Sequence, residues 1–265
     1  MILSILGVIV SFGLILIGNH LEGGHLSSLI QPTAAIIVFG GTIGATMLHS
    51  TKEEFVGALK GFGKVFLGKP PKFDALIEQI VTIGTVARRE GLLSLDNMIR
   101  DVTNPFMADN MRRLIDGYDA ASLRSIMEER IGRVEEEKNS IAKVWETMGG
   151  FCPTVGILGA VLGLIHVMSN LSDPSKLGSG IAVAFVATVY GVGAANLIMI
   201  PLGGKLKKIY HLEMVEMELI CTGILAVQAG DNPRRIEDHL RDIVGGHGGG
   251  EKHGEEAGAE RKAAA

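Results

Sequence analysis

The feature that most constrains this chain is where its charges are missing. Of the 54 Asp, Glu, Lys and Arg side chains in its 265 residues, 51 fall between Lys52 and Glu146 or between Lys205 and Lys262. Only Glu22, Asp173 and Lys176 lie elsewhere, which leaves four charge-free runs: Met1 to Gly18, Leu26 to Leu48, Thr147 to Val167 and Leu177 to Gly204. Each is close to the ~20 residues that an α-helix needs to cross the hydrocarbon core of a bilayer. The pattern excludes an ordinary soluble globular enzyme. It predicts an all-α, polytopic membrane protein with four transmembrane helices in two hairpins and a helical cytoplasmic domain.

The boundaries follow from the same map. Residues 1–48 read as the first transmembrane hairpin, 49–146 as a cytoplasmic helical domain, 147–204 as the second hairpin, 205–244 as a cytoplasmic C-terminal helix and 245–265 as a disordered Gly/His/Glu tail. The first run lacks the Lys/Arg start and small-residue cleavage site of a signal peptide, so it reads as a retained helix. Lysine placement sets the sidedness. The loop at 19–25 has no Lys or Arg and that at 170–176 has one, whereas Lys52, Lys60, Lys64, Lys69 and Lys72 follow the second run and Lys205, Lys207 and Lys208 follow the fourth. Both termini and the middle segment are therefore expected on the cytoplasmic side of the membrane. Cys152 and Cys221 have no CxxC spacing and are expected to be reduced thiols.

The middle segment carries 15 basic and 16 acidic residues, yet its apolar positions keep a helical period. Leu76, Ile77, Ile80, Val81, Gly84 and Ala87 mark one face. Leu114, Leu123, Ile126, Met127, Ile131, Val134, Ile141, Trp145 and Met148 mark another. Asn104-Pro105 and Asp119 read as helix starts. Nothing breaks the helix after Asp119 before Gly149-Gly150, so it is expected to run straight into the third membrane run. The net charge of −4 offers no basic footprint for nucleic acid.

What the spans lack matters most. Charged groups inside a membrane mark ion pathways, and these four runs contain no Asp, Glu, Lys or Arg. A titrating carboxylate would have to come from another chain. His166 is the one ionisable group well inside a run, and a buried neutral histidine with a backbone partner explains it as well as a relay does. Small residues recur instead: Gly156, Gly159, Ala160 and Gly163 in the third run, and Ala184, Ala187, Gly191 and Ala195 in the fourth, at the spacing that lets helix backbones approach. They mark either tight packing within one bundle or an interface for other subunits or an inserted helix. Thr154 and Thr188 add hydroxyls, and Pro153 and Pro201 read as helix punctuation or as hinges. No metal site is expected; His247 and His253 belong to the Gly-rich tail.

The strings GGFCPTVGILGAVLGLIHVM and GSGIAVAFVATVYGVGAANLIMIPLGGKLK, together with the cytoplasmic ARREGLLSLD, resemble the MotA/PomA family of flagellar motor stator subunits, related to the ExbB/TolQ proton channels. The resemblance covers about Met1 to Val244. It implies conversion of an ion-motive force into rotation by a homopentamer around two copies of a MotB-like, peptidoglycan-binding partner, whose membrane helix supplies an Asp. By matching motifs it gives Pro153 and Pro201 a coupling role, faces Thr188 toward the partner's Asp, and puts Arg88 and Asp96 against a FliG-type rotor switch protein. Thr154 and Ala160 belong to the same ion-pathway helix. Sodium-driven members tend to carry Thr where this chain has Ala160, which removes an oxygen ligand for a hard cation, so the expected coupling ion is the proton rather than sodium, with no other cofactor. The rotor-site acid, usually Glu, is here the shorter Asp96. Two other readings are an ExbB/TolQ-like subunit energising an outer-membrane system, against which the two hairpins speak, and a passive membrane scaffold. No GxxxxGK[ST], HExxH or GxSxG motif supports an enzyme.

Overall fold

The computed structural model describes residues 2–68, 70–170 and 174–248. Nearly all of them are helical, and no strand occurs among the described residues. Four helices are long and apolar enough to cross a membrane. The chain divides into two compact units, residues 1–69 with 136–210, and residues 70–135 with 211–265.

The first unit holds the apolar runs. Helix α1 is Ile2–Leu21, and the turn after it contains Gly23 at φ 80°. A 3-10 turn, Leu26–Leu29, precedes Pro32, which occupies the first turn of the next helix, where a missing N–H costs nothing. Pro32–Ala35, a π turn at Ile36–Gly40 and Gly41–His49 run on as one helix, α2. Helix α3, Lys52–Leu67, opens on a complete capping box: Thr51 accepts from the Glu54 N–H, and Glu54 accepts from the Thr51 N–H at 2.9 Å. It joins the core of this unit through Ala58 and Val65, against Trp145, Met148, Leu202 and Leu206. The Trp145 indole donates to the Ala58 carbonyl at 3.0 Å. The expected boundary near residue 49 thus moves: α3, assigned to the cytoplasmic domain by its lysines, packs in the same unit as the apolar helices.

Helix α6 is Ala120–Ser169, unbroken through Gly149, Gly150 and Pro153. Its start is the expected one, with Asp119 accepting from Ala121 and Ser122 N–H groups at 3.0 Å each. A bond from the Ser122 side chain, followed by these backbone N–H bonds, holds the Asp119 carboxyl below its usual range. Helix α7, Pro174–Ala194, passes through a second π turn, Ala195–Met199, into α8, Ile200–Gln228. Pro201 lies two residues beyond this π turn. It has no N–H for the Leu197 carbonyl four residues back, and its ring crowds that carbonyl.

The second unit contains α4 (Phe73–Glu90), the 3-10 turns Leu92–Asn97 and Ile99–Asp101, α5 (Pro105–Ile115) and α9 (Pro233–Gly248), with the first turns of α6 and the last of α8. The α4 face read from the sequence is its buried face, with Leu76, Ile77, Ile80, Gly84 and Ala87 in the core beside Leu114, Leu123 and Met127. Asn104 caps α5 as expected, accepting from Phe106 and Met107 N–H, and its amide donates to Glu216 at 2.8 Å. Residues 205–244 are not one helix. Gly230, at φ 73°, ends α8, the Asp231 N–H bonds back to the Ala226 carbonyl, and Asn232-Pro233 starts α9. Helix α9 also runs to Gly248, so residues 245–248 of the expected disordered tail are helical; residues 249–265, His253 among them, lie outside the described residues. Both cysteines are free and buried.

Candidate functional site

The small residues of α6 and α7 meet each other within one chain. A Cβ added at Gly191 would lie 2.7 Å from the Cys152 carbonyl oxygen, 3.0 Å from the Gly156 Cα and 3.3 Å from the Pro153 Cα. One added at Gly156 would lie 2.9 Å from the Ala187 carbonyl, and one at Gly163 2.9 Å from the Ala184 nitrogen. These are backbone contacts, so the two helices touch along a seam of Gly156, Gly159 and Gly163 on α6 with Gly180, Ala184, Ala187 and Gly191 on α7. Packing within one chain, one of the two roles the sequence left open, is thus a role that Gly156, Gly159, Gly163, Ala184, Ala187 and Gly191 fill.

That seam positions the other residues. Pro153 lies against Gly191, one turn beyond Thr188. Ala160 follows Gly159, whose added Cβ would lie 2.9 Å from that of Ala187, the residue before Thr188. Pro153, Ala160 and Thr188 are thus gathered along one seam, each half-buried. Thr188 donates to the Ala184 carbonyl at 3.4 Å, a long bond that leaves its oxygen able to accept. It sits in an exposed apolar stripe of Ile181, Phe185 and Val192, spaced three and four residues apart. Thr154 stands apart: it is exposed, and its hydroxyl donates to the Phe151 carbonyl at 2.7 Å. Pro201 is also exposed and lies ten residues, about 15 Å of helix, beyond Gly191. His166, for which the sequence left a buried histidine and a relay both open, is exposed in this chain.

Tyr190, which the sequence reading passed over, ties α7 to the start of α2. Its hydroxyl donates to the Leu29 carbonyl and accepts from the Gln31 N–H at 3.2 Å, and its ring stacks on Phe39 at 5.8 Å. The chain passes there from a 3-10 turn to the start of α2 at Pro32, and the phenol satisfies two backbone groups of that junction. Orphaned backbone groups at membrane depth are costly, which makes a tyrosine in an apolar run the readable sign of such a bond.

Arg88 and Asp96 lie in the second unit. Gly91, at φ 84° and ψ 164°, ends α4 in a conformation that favours glycine, and Ser94 donates to the Gly91 carbonyl at 2.6 Å. Leu95 is fully buried. Three letters of the R-x-x-G-x-x-S-L-D string thus have a mechanical job: glycine turns the chain, serine locks the turn and leucine anchors it. What the turn presents is an exposed Arg88 and an exposed Asp96, neither with an ion pair among the described residues. Between them Leu93 is 77% exposed, an apolar contact point the sequence reading did not single out.

The described residues, helical throughout their ordered elements and with four helices long and apolar enough to cross a membrane, define a polytopic helical membrane protein. Residues 98–219 match the MotA/TolQ/ExbB proton channel family, and residues 5–91 the Motility protein A N-terminal family. The chain is 34% identical to Motility protein A of Aquifex aeolicus, over 91% of this chain and 96% of that one, and 32% identical to the chemotaxis protein PomA of Vibrio alginolyticus, over 91% and 94%. Among solved structures it resembles C. jejuni MotAB (TM-score 0.86, 32% identity, covering 91% of this chain and 94% of that one) and the flagellar MotAB stator complex of Bacillus subtilis (TM-score 0.81, 32% identity, 89% and 93%). The chain belongs to the MotA/TolQ/ExbB proton channel family, as a flagellar motor stator subunit of the Motility protein A kind.

Proposed function

We propose that this chain, in the bacterial inner membrane with both termini cytoplasmic, conducts protons together with a MotB-like, peptidoglycan-binding subunit and turns the flow into torque on a FliG-type rotor protein. The observation that carries the reading is that the spans contain no carboxylate while α7 leaves Thr188 in an exposed apolar stripe. A partner helix along that stripe brings its Asp to the Thr188 hydroxyl. Five copies around two partner chains is the assembly that fits this division of labour. The absence of a hydroxyl at Ala160 supports proton over sodium coupling.

One proton crossing ~150 mV releases about 3.5 kcal/mol, at ~2.3 kcal/mol per 100 mV. That shifts a two-state equilibrium several hundredfold, enough to move a bistable helix and far short of opening the α6–α7 seam. Pro153, packed on Gly191, and Pro201, at the widened turn, are the positions where α6 and α7–α8 can bend. Arg88 and Asp96 are the charges offered to the rotor.

The test is motility of a strain carrying this subunit and its partner. Swimming is expected to collapse with a protonophore and to persist without sodium, and Arg88→Glu or Asp96→Lys to abolish it while leaving the folded protein in the membrane. Sodium dependence refutes the proton reading; unchanged swimming in both charge variants refutes the rotor role.

A further inference from the structure

A cavity of about 610 Å³ lies in the first unit, away from the α6–α7 seam, lined by α1, α3 and α8 with the π turn before it. Its α1 wall is Leu3, Ser4, Gly7, Val8 and Ser11, a stripe of mostly small side chains at helical spacing. Its α8 wall runs from Leu197 and Pro201 to Lys205 and Lys208, again one helical face, which changes from apolar to basic along its length. The space exists for identifiable reasons. A Cβ at Gly7 or Gly204 would meet no atom within 4 Å, and the wider π turn Ala195–Met199 lies beside it.

The two lysines are the informative part. Lys207, between them, pairs with Glu146 at 2.8 Å. Lys205 and Lys208 have no hydrogen bond or ion pair among the described residues, and both line this mostly apolar cavity just beyond the charge-free run that ends at Gly204. An apolar slot whose α8 wall carries two unpaired ammonium groups matches an amphiphile with hydrocarbon tails and an anionic head.

We propose that this groove binds an anionic phospholipid of the cytoplasmic leaflet, with acyl chain between α1 and α8 and phosphate at Lys205 and Lys208. The leaflet rests on the sidedness proposed above; the binding chemistry does not. Because the chain beside Pro201 is the wall of the site, lipid occupancy sets how far the widened turn can move, which makes lipid composition a regulator of this subunit.

The test is native mass spectrometry of the purified complex with its partner in nonionic detergent, titrated with phosphatidylglycerol or phosphatidylcholine. The complex is expected to take up phosphatidylglycerol preferentially. Lys205→Gln and Lys208→Gln each weaken that uptake about fivefold, the ratio corresponding to ~1 kcal/mol per lysine, with phosphatidylcholine uptake unchanged. Gly7→Phe, filling the groove, lowers uptake of both lipids. Equal uptake of the two lipids, or unchanged selectivity in the lysine variants, overturns the site, as does a cross-link showing this groove filled by a neighbouring copy. Detergent has no leaflets, so these outcomes stand apart from sidedness, which cysteine labelling of the termini in intact cells tests separately.

Discussion

Replacing Gly191 by alanine tests the α6–α7 seam most sharply, because a control lies two residues away. The added methyl group would sit 2.7 Å from the Cys152 carbonyl oxygen and 3.0 Å from the Gly156 Cα, where ordinary contact begins at 3.4 Å. Both obstacles are backbone, so no rotamer change relieves them and the helices must part by several tenths of an ångström. Overpacking of that kind costs about 1–3 kcal/mol. At Gly193 the same methyl meets nothing within 4 Å. Both substitutions gain about 1 kcal/mol of helix propensity, so this cancels in the comparison, and Gly191→Ala is expected to be less stable than Gly193→Ala by the overpacking cost alone. Thermal unfolding of both variants in nanodiscs, with swimming of complemented cells beside it, gives the readout. Swimming should suffer only in Gly191→Ala, since Pro153 and Thr188 take their places from this contact. Equal stability of the two variants refutes the seam, and with it the positioning of those residues.

Tyr190→Phe removes the partner of two backbone groups and is expected to cost about 1–3 kcal/mol, with hydrogen exchange of the Gln31 amide rising first; unchanged exchange would show that water or lipid already serves those groups. Asp119 has its carboxyl lowered by bonds to Ser122 and Ala121, so its contribution is present above the ordinary aspartate range and is lost as pH falls through the lowered value. Acid melting followed by circular dichroism should therefore become less steep in Asp119→Asn, and an unaltered profile would contradict the cap's part in it.

The membrane half was legible because charge exclusion is written residue by residue: four runs without Asp, Glu, Lys or Arg became four helices. The buried faces of α4 and of the early turns of α6 were legible for the same reason of period. Three things were not. Helix α3 was read from its lysines as part of the middle domain, yet its buried face of Ala58, Gly61 and Val65 packs it in the same compact unit as the apolar helices. Pro201 was visible as a hinge candidate, but no local pattern specifies the π turn ahead of it. Gly230 and Asn232-Pro233 did carry stop and start signals for α8 and α9, hidden in a segment read as one helix. At the site, Pro153, Ala160 and Thr188 were named from the sequence, whereas their gathering along one seam depends on which glycine meets which across two helices. Tyr190 and Leu93 escaped because one looks like ordinary apolar filling and the other like a core leucine.

The central claim is that this subunit carries no carboxylate in its membrane spans and works only with one from a second chain. Proton flux into vesicles holding the subunit and its unplugged partner measures this directly. The account predicts flux for the pair, none for this chain alone, and none when the partner's membrane Asp is replaced by Asn. Proton flux through vesicles that hold this chain by itself would contradict it.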